Sequence, residues 1–291
     1  MFLRIVSILF PLFALVAIGY VYGRRMKPDM TFANQLNMDV FMPALVFAAL
    51  ASKEFDVVQY QGLAWGALAV VIGSGLIAWP LARFAHAQPK TFVPPMMFNN
   101  SGNLGLPLAV LAFGEAALAP AVVMFMISNT LHFSFGAWLL DRHTRLSTIW
   151  RIPVVFAAIA GLAVSATGIE LWPPLLLSIK LLGEVAIPLL LFALGVRLAS
   201  SDLGDARAGV VGAVLRPLAG MVIALLFGWL FRLEPMQQAM LFIFGALPPA
   251  VLNYVMAERY RQEPEKVASI VLIGNVASVF FLPLALALVL D

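Results

Sequence analysis

The sequence contains no cysteine and little charge: Asp, Glu, Lys and Arg together make up 11% of its 291 residues. Without cysteine there is neither a disulfide framework nor thiolate chemistry. A soluble domain carries about 25% charged residues, so a chain this poor in charge keeps little of itself in water. Phosphate-loop, zinc-ligand and Ser-His-Asp patterns are also missing, so neither an enzyme nor a cofactor or metal site is expected. The net charge of +3 is spread over short connections and forms no single patch, which argues against a nucleic-acid partner.

What the chain has in excess is apolar surface, with 62% hydrophobic residues and a mean hydropathy of +0.96. The apolar runs are roughly 18 to 25 residues long, which is helix spacing for a bilayer and not barrel spacing. The expected class is an all-α integral membrane protein. Ten spans are predicted at about 3–22, 34–52, 59–84, 92–113, 116–140, 150–167, 173–198, 207–231, 237–258 and 266–289. The first span has Arg4 ahead of an apolar run, as a signal peptide would. No small-x-small cleavage site follows Ala17, so it is read as a helix.

The two halves repeat. Pro43-Ala-Leu-Val-Phe47 in span 2 matches Pro188-Leu-Leu-Leu-Phe192 in span 7, and Asp39 and Glu184 each lie four residues before the proline. Ser128-Asn129 in span 5 matches Gly274-Asn275 in span 10. Spans 4 and 9 are both interrupted, by Asn/Gly/Pro residues and by Leu247-Pro248-Pro249-Ala-Val-Leu-Asn253. Five spans is an odd number, so the second half must be inverted relative to the first, as in secondary transporters. Thirteen of the 18 basic residues fall in the odd-numbered connections: Arg24, Arg25, Lys27, Arg83, Lys90, Arg142, Arg145, Arg151, Arg197, Arg207, Arg259, Arg261 and Lys266. Only Arg4, Lys53 and Arg232 fall on the other side. The positive-inside rule then puts the odd connections in the cytoplasm and both termini outside.

The stretch Phe98-Asn-Asn-Ser-Gly-Asn-Leu-Gly-Leu-Pro107 breaks span 4 at mid-membrane depth, where bare backbone survives only inside protein or beside a watery cavity. Asn100, Ser101 and Asn103 are the first candidate binding residues, with Gly102, Gly105 and Pro107 shaping the backbone. A second half-helix is predicted to start at Gly105 to Pro107, with free N–H groups and a positive dipole end. In span 9, Pro248 and Pro249 remove two donors and free the carbonyls behind them, and Asn253 follows. Two crossed broken helices suit an anionic substrate. Asn129 and Asn275 either touch that substrate or hydrogen-bond the crossing point.

The ionisable residues inside spans are few. Lys180 and Glu184 stand at i,i+4 spacing and are expected to pair with each other, while Asp39 has no partner on its own helix. These three are either structural or part of ion coupling. Arg216 lies about nine residues into span 8, roughly 13 Å deep; it either snorkels or anchors a carboxylate. His132, one turn after Asn129, is either a protonation switch or a packing residue.

These motifs resemble the auxin efflux carrier family, within the bile acid:sodium symporter superfamily. The resemblance rests on Asn100-Ser-Gly-Asn-Leu-Gly-Leu-Pro-Leu108 and on Pro249-Ala-Val-Leu-Asn-Tyr-Val-Met-Ala-Glu-Arg-Tyr260. Arg151-Ile-Pro153 and Pro188-Leu-Leu-Leu-Phe-Ala-Leu-Gly195 add to it. It implies ten transmembrane helices in two inverted five-helix repeats, with broken helices 4 and 9 crossing at the substrate. It also implies a scaffold, often homodimeric, from residues 1–57 and 142–201, and a transport domain from 58–141 and 202–291 that moves as an elevator. The linker between the halves is only about Asp141 to Trp150, as in a compact bacterial member of the inner membrane. Bacterial relatives are associated with small carboxylates such as malonate and malate. The expected function is therefore secondary-active transport of small organic anions. The alternatives are a cation or proton exchanger of similar build and a membrane sensor without turnover. An exchanger would want an unpaired carboxylate at the crossing, where the sequence offers none; Glu258 lies five residues after Asn253, near the cytoplasmic end.

Overall fold

Proline opens many of the helices that the apolar runs predict. Pro89, Pro153, Pro173, Pro235 and Pro264 each stand in a first turn, where a missing N–H costs nothing. Left-handed residues at Lys27, His86, Gly168, Arg232 and Arg261 close others. The computed structural model describes residues 1–51, 58–144, 152–200 and 204–290. Lys53, Arg145, Trp150 and Arg151 lie outside the described residues.

The helices are α1 (Phe2–Met26), α2 (31–50), α3 (Gln61–Ala85), α4 (Pro89–Met97), α5 (Ser101–Phe113) and α6 (Glu115–Leu140). They continue as α7 (Pro153–Thr167), α8 (Pro173–Ala199), α9 (Ala206–Phe231), α10 (Pro235–Ala246), α11 (Leu252–Tyr260) and α12 (Pro264–Val289). Six of them, α1, α3, α6, α8, α9 and α12, are each long and apolar enough to cross a bilayer. The fourth and ninth expected spans are each built from two short helices, α4 with α5 and α10 with α11. No strand occurs among the described residues; Asn99 and Pro249 form an isolated antiparallel bridge.

The proline motifs shared by spans 2 and 7 loosen their helices at matching places. Pro43 cannot donate to the Asp39 carbonyl, and the residues before it, Asn37–Phe41, take the wider π register. Pro188 cannot donate to the Glu184 carbonyl, and α8 is interrupted at Val185, between Pro173–Glu184 and Ala186–Ala199.

Packing divides the helices. α1 lies along α8, and α2 packs on α7 and α8. α9 packs on α3, α10 and α12, and α3 on α4 and α6. The α1–α8 seam is close because both helices offer glycine. A Cβ on Gly19 would stand 2.1 Å from the Phe192 carbonyl oxygen, and one on Gly195 would stand 2.0 Å from that of Val16. The outer faces are apolar: Trp229 and Phe280 are 80% and 75% exposed, as a lipid-facing surface requires.

Asp39, Lys180 and Glu184 are also exposed on this outer surface. The expected Lys180–Glu184 ion pair does not form; the ion pairs among the described residues lie elsewhere. The i,i+4 spacing permits contact but does not bind two long side chains that solvent or headgroups can also serve.

The odd-numbered connections are bonded to one another at one end of the bundle. Arg207 Nε donates to the Phe84 carbonyl (3.1 Å), Lys266 Nζ to that of His86 (2.9 Å) and Lys90 Nζ to that of Leu140 (3.3 Å). Arg197 lies 4.0 Å from Glu258.

Candidate functional site: the crossing of two broken helices

Pro248 and Pro249 have no N–H, so the carbonyls four residues back, Phe244 and Gly245, lose their helical donors. Side chains from two other elements replace them. Asn99 Nδ2 donates to the Phe244 carbonyl at 2.7 Å, and Arg216 Nη1 to the Gly245 carbonyl at 3.0 Å. Arg216 is 0% exposed, so it does not snorkel: its guanidinium sits on the negative C-terminal end of α10, where a cation is favoured. α9 comes close enough because Gly220 faces Gly245. A Cβ on Gly220 would meet the Gly245 oxygen at 2.1 Å, and one on Gly245 would meet the Gly220 oxygen at 2.4 Å.

The two breaks satisfy each other's backbone. Asn100 N–H donates to the Pro248 carbonyl (2.7 Å) and Ala250 N–H to the Phe98 carbonyl (3.0 Å), flanking the Asn99–Pro249 bridge. In this antiparallel arrangement the two opposed residues exchange no hydrogen bond. The missing N–H of Pro249 therefore costs the ladder nothing.

Three of the predicted asparagines fix the crossing. Asn253 Nδ2 donates to the carbonyls of Phe98 (3.0 Å) and Ala250 (2.9 Å). Asn275 Nδ2 donates to Pro249 (3.0 Å) and Val271 (2.8 Å), while its Oδ1 accepts from Asn100 Nδ2 (2.9 Å). All three are buried. Of the two readings of Asn275, bonding the crossing point is the one the geometry realises. His132 is buried and stacked on Phe98, with ring centroids 4.1 Å apart and planes within 7°. Asn253 is its polar neighbour, yet neither His132 Nε2 nor Asn253 Oδ1 has a hydrogen-bond partner among the described residues. Asn129 Nδ2, one turn before His132, is likewise buried and unpartnered.

The second half-helix of span 4 begins earlier than expected. Pro107 cannot donate to the Asn103 carbonyl, and the chain answers with a π turn over Ser101–Gly105, not with a fresh start at Gly105 to Pro107. The Asn100 carbonyl accepts from both Leu104 N–H (3.0 Å) and Gly105 N–H (3.1 Å). The first-turn donors are therefore the N–H groups of Ser101, Gly102 and Asn103, for which no acceptor occurs among the described residues. Asn103 is half-buried and its amide is unbonded. Ser101 and Gly105 line a cavity of about 20 Å³ with Met124, Phe244 and Leu247, room for about one water.

The crossing thus gathers Asn100, Ser101, Asn103, Asn253, Asn275, His132, Pro248 and Pro249, and Arg216 joins it through Gly245. Asp39, Lys180 and Glu184 lie apart from it. Asn99 is the participant that sequence reasoning missed. The signal available was that two prolines in a row orphan two carbonyls, each of which needs a donor from elsewhere. No carboxylate among the described residues makes a hydrogen bond at the crossing.

Residues 143–286 match the family described as Membrane transport protein. A protein of Rhizobium meliloti named "Putative malonate transporter" is 25% identical over 303 residues, covering 95% of this chain and 93% of the relative. An uncharacterized transporter of Methanocaldococcus jannaschii is 22% identical, covering 93% of this chain and 94% of its own. One from Escherichia coli K12 is 23% identical, with 87% of each chain covered. The second half of the chain thus carries the pattern of the membrane transport proteins, the family of the auxin efflux carriers, and transporters match nearly the whole chain, so the protein is a transporter and not an enzyme.

Proposed function

We propose that the protein is a secondary-active carrier of small organic anions, mono- or dicarboxylates such as malonate or malate, with its substrate at the crossing. One observation carries the choice of an anion. The crossing's exposed carbonyls, those of Phe98, Phe244, Gly245 and Pro249, all have donors, whereas the N–H groups that open α5 have no acceptor. Backbone carbonyls that are already served, beside backbone N–H groups that are not, favour negative charge, even with the side-chain oxygens of Asn99 and Asn253 unpartnered there. The Arg216 guanidinium, with Nε and Nη2 unpartnered, adds to the same sign. A cation or proton exchanger would need a carboxylate there, and Glu258 is instead engaged with Arg197 and Tyr254.

In this reading Ser101 and Asn103 contact the substrate directly, with the free Oδ1 of Asn253 and Nδ2 of Asn129 beside them. Asn100 and Asn275 hold the frame, and Gly102, Gly105, Pro107, Pro248 and Pro249 shape its backbone. His132 packs the crossing. The malonate association of the Rhizobium relative supports the substrate class. The spans form two inverted five-helix repeats: 1–57 with 142–201 is a scaffold, and 58–141 with 202–291 is a transport domain. The more extensive packing of α1 on α8 and of α2 on α7 and α8 than of these helices on the rest supports that division. Because the cavity at Ser101 is smaller than a dicarboxylate, access requires movement, and an elevator displacement between the two units supplies it. The odd connections face the cytoplasm of a bacterial inner membrane, both termini lie outside, and the scaffold provides the surface for a homodimer.

The test is malonate counterflow in proteoliposomes. The native protein exchanges malonate, and Asn103→Ala loses at least about tenfold of the rate, the scale of one charge-assisted hydrogen bond. Equal exchange by both would discard the site while keeping the carrier. Absence of exchange by the folded native protein would discard the substrate class.

A further inference from the structure

The end of the bundle that carries the odd connections opens into a second, larger cavity, of about 490 Å³. That is a size typical of small-molecule sites. Its wall brings together Lys90 at the start of α4, Arg142 just after α6, and Arg259 and Arg261 at the end of α11. His143 and one carboxylate, Asp141, complete the polar lining. Asp141 accepts a hydrogen bond from the His143 backbone (2.9 Å), which holds its carboxyl below the ordinary range, and its ring contact is also with His143 (3.2 Å). No salt bridge among the described residues engages Arg142, Arg259, Arg261 or Lys90, and only Lys90 is near enough to Asp141 for its charge to help hold that carboxyl down. Two of the guanidiniums are held over aromatic rings, Arg142 over Trp138 and Arg259 over Tyr260, each at 5.8 Å. Such contacts position a cation without neutralising it.

Basic residues at a membrane surface commonly mark topology alone. Here they converge from three connections on one concavity, with four permanent cations against one carboxylate. The cavity is also tied to the crossing. α4 and α11 are nine residues each, and each runs from this cavity to the crossing, about 13 Å at 1.5 Å per residue.

We propose that this cavity is a second anion site, an antechamber that binds a small dicarboxylate or phosphate before it reaches the crossing. Its role in transport rests on the organic-anion reading above; its binding chemistry does not. The four cations raise the local anion concentration, and Trp138 and Tyr260 keep two of them in place.

The test has a binding arm and a transport arm. Detergent-purified full-length protein is titrated with inorganic pyrophosphate by calorimetry. The native protein and Asn103→Ala bind it alike, and Arg259→Gln/Arg261→Gln binds at least about tenfold more weakly, as loss of two converging charges requires. Arg142→Gln, with a separate backbone position, serves as a second variant, and gel filtration checks that each remains folded. In proteoliposomes, Arg259→Gln/Arg261→Gln raises the malonate KM on the cavity side about fivefold, leaves the maximal rate unchanged and flattens the dependence of KM on salt. Pyrophosphate binding unchanged in both the double variant and Arg142→Gln overturns the site. Binding by the native protein that disappears when phosphatidylglycerol is added assigns the cavity to a lipid headgroup and also overturns it. Lost binding with an unchanged KM overturns the antechamber role. If the native protein binds pyrophosphate but exchanges no malonate, the second site stands and the substrate assigned to the crossing falls.

Discussion

The Asn100–Asn275 hydrogen bond offers a quantitative test of how the crossing is held. Asn275→Ala removes two interhelical bonds, one from Asn100 Nδ2 and one to the Pro249 carbonyl. The bond to Val271 lies within α12, whose own ladder already serves that carbonyl. Interhelical bonds inside membrane proteins average about 0.6 kcal/mol and reach about 1.7 kcal/mol, so the expected loss is about 1–3 kcal/mol. Asn100→Ala removes only the shared bond and should cost about 1 kcal/mol. In the double variant the shared bond is lost once and not twice, so the two effects should sum to more than is observed, by about 0.6–1.7 kcal/mol. Reversible unfolding in mixed micelles of increasing SDS content measures all four corners of the cycle. Additivity within about 0.3 kcal/mol would mean the bond contributes nothing, and the account of a crossing fastened by its asparagines would fail.

Two further outcomes follow from specific contacts. Gly220→Ala drives a methyl group into the Gly245 carbonyl and the Arg216 guanidinium, contacts of 2.1 and 2.5 Å; it should destabilise by about 1–3 kcal/mol. A variant whose thermal midpoint matches the native protein would show that α9 and α10 are not locked there. At Glu263, just before α12, burial favours protonation, but Lys266, the Thr91 hydroxyl and the Gln88 N–H outweigh it and hold the carboxyl below its ordinary range. Its contribution is complete above the ordinary carboxylate range and is lost as pH falls through the lowered value. The difference in midpoint between native protein and Glu263→Gln should therefore be larger at pH 7 than at pH 3, and a constant difference would count against it.

Much of this arrangement was legible because it is written in residues that constrain the backbone. The Asn/Gly/Pro run and Pro248-Pro249 predict where spans 4 and 9 lose their helical ladders, and the breaks occur there, whereas Pro43 and Pro188 mark the repeat in sequence and show their loosened helices only in the structure. Prolines report only what is removed. Which donor replaces it is a tertiary matter, so sequence alone assigns Asn99 no distinct role and allows two for Arg216. α5 starts about one turn before the place that Pro107 suggests, because the chain widens to a π turn and keeps the helix already begun at Ser101. The Lys180–Glu184 pair failed for the opposite reason. Spacing on a helix face says that two groups can meet, but on an exposed face nothing compels them to.

The Asn/Gly/Pro run of span 4 has the composition of a surface loop, the kind of segment in which length ordinarily drifts freely between related proteins. Its hydrogen bonds give it the opposite character. Asn99 faces Pro249 at a position in the ladder where the missing N–H is not called on. A change in length that brought Pro248 opposite Asn99 would ask Pro249 to donate to the Phe98 carbonyl, which it cannot do. Insertions and deletions should therefore be tolerated least in the segment that looks most permissive, and its residue count should be harder to change than that of the helices around it.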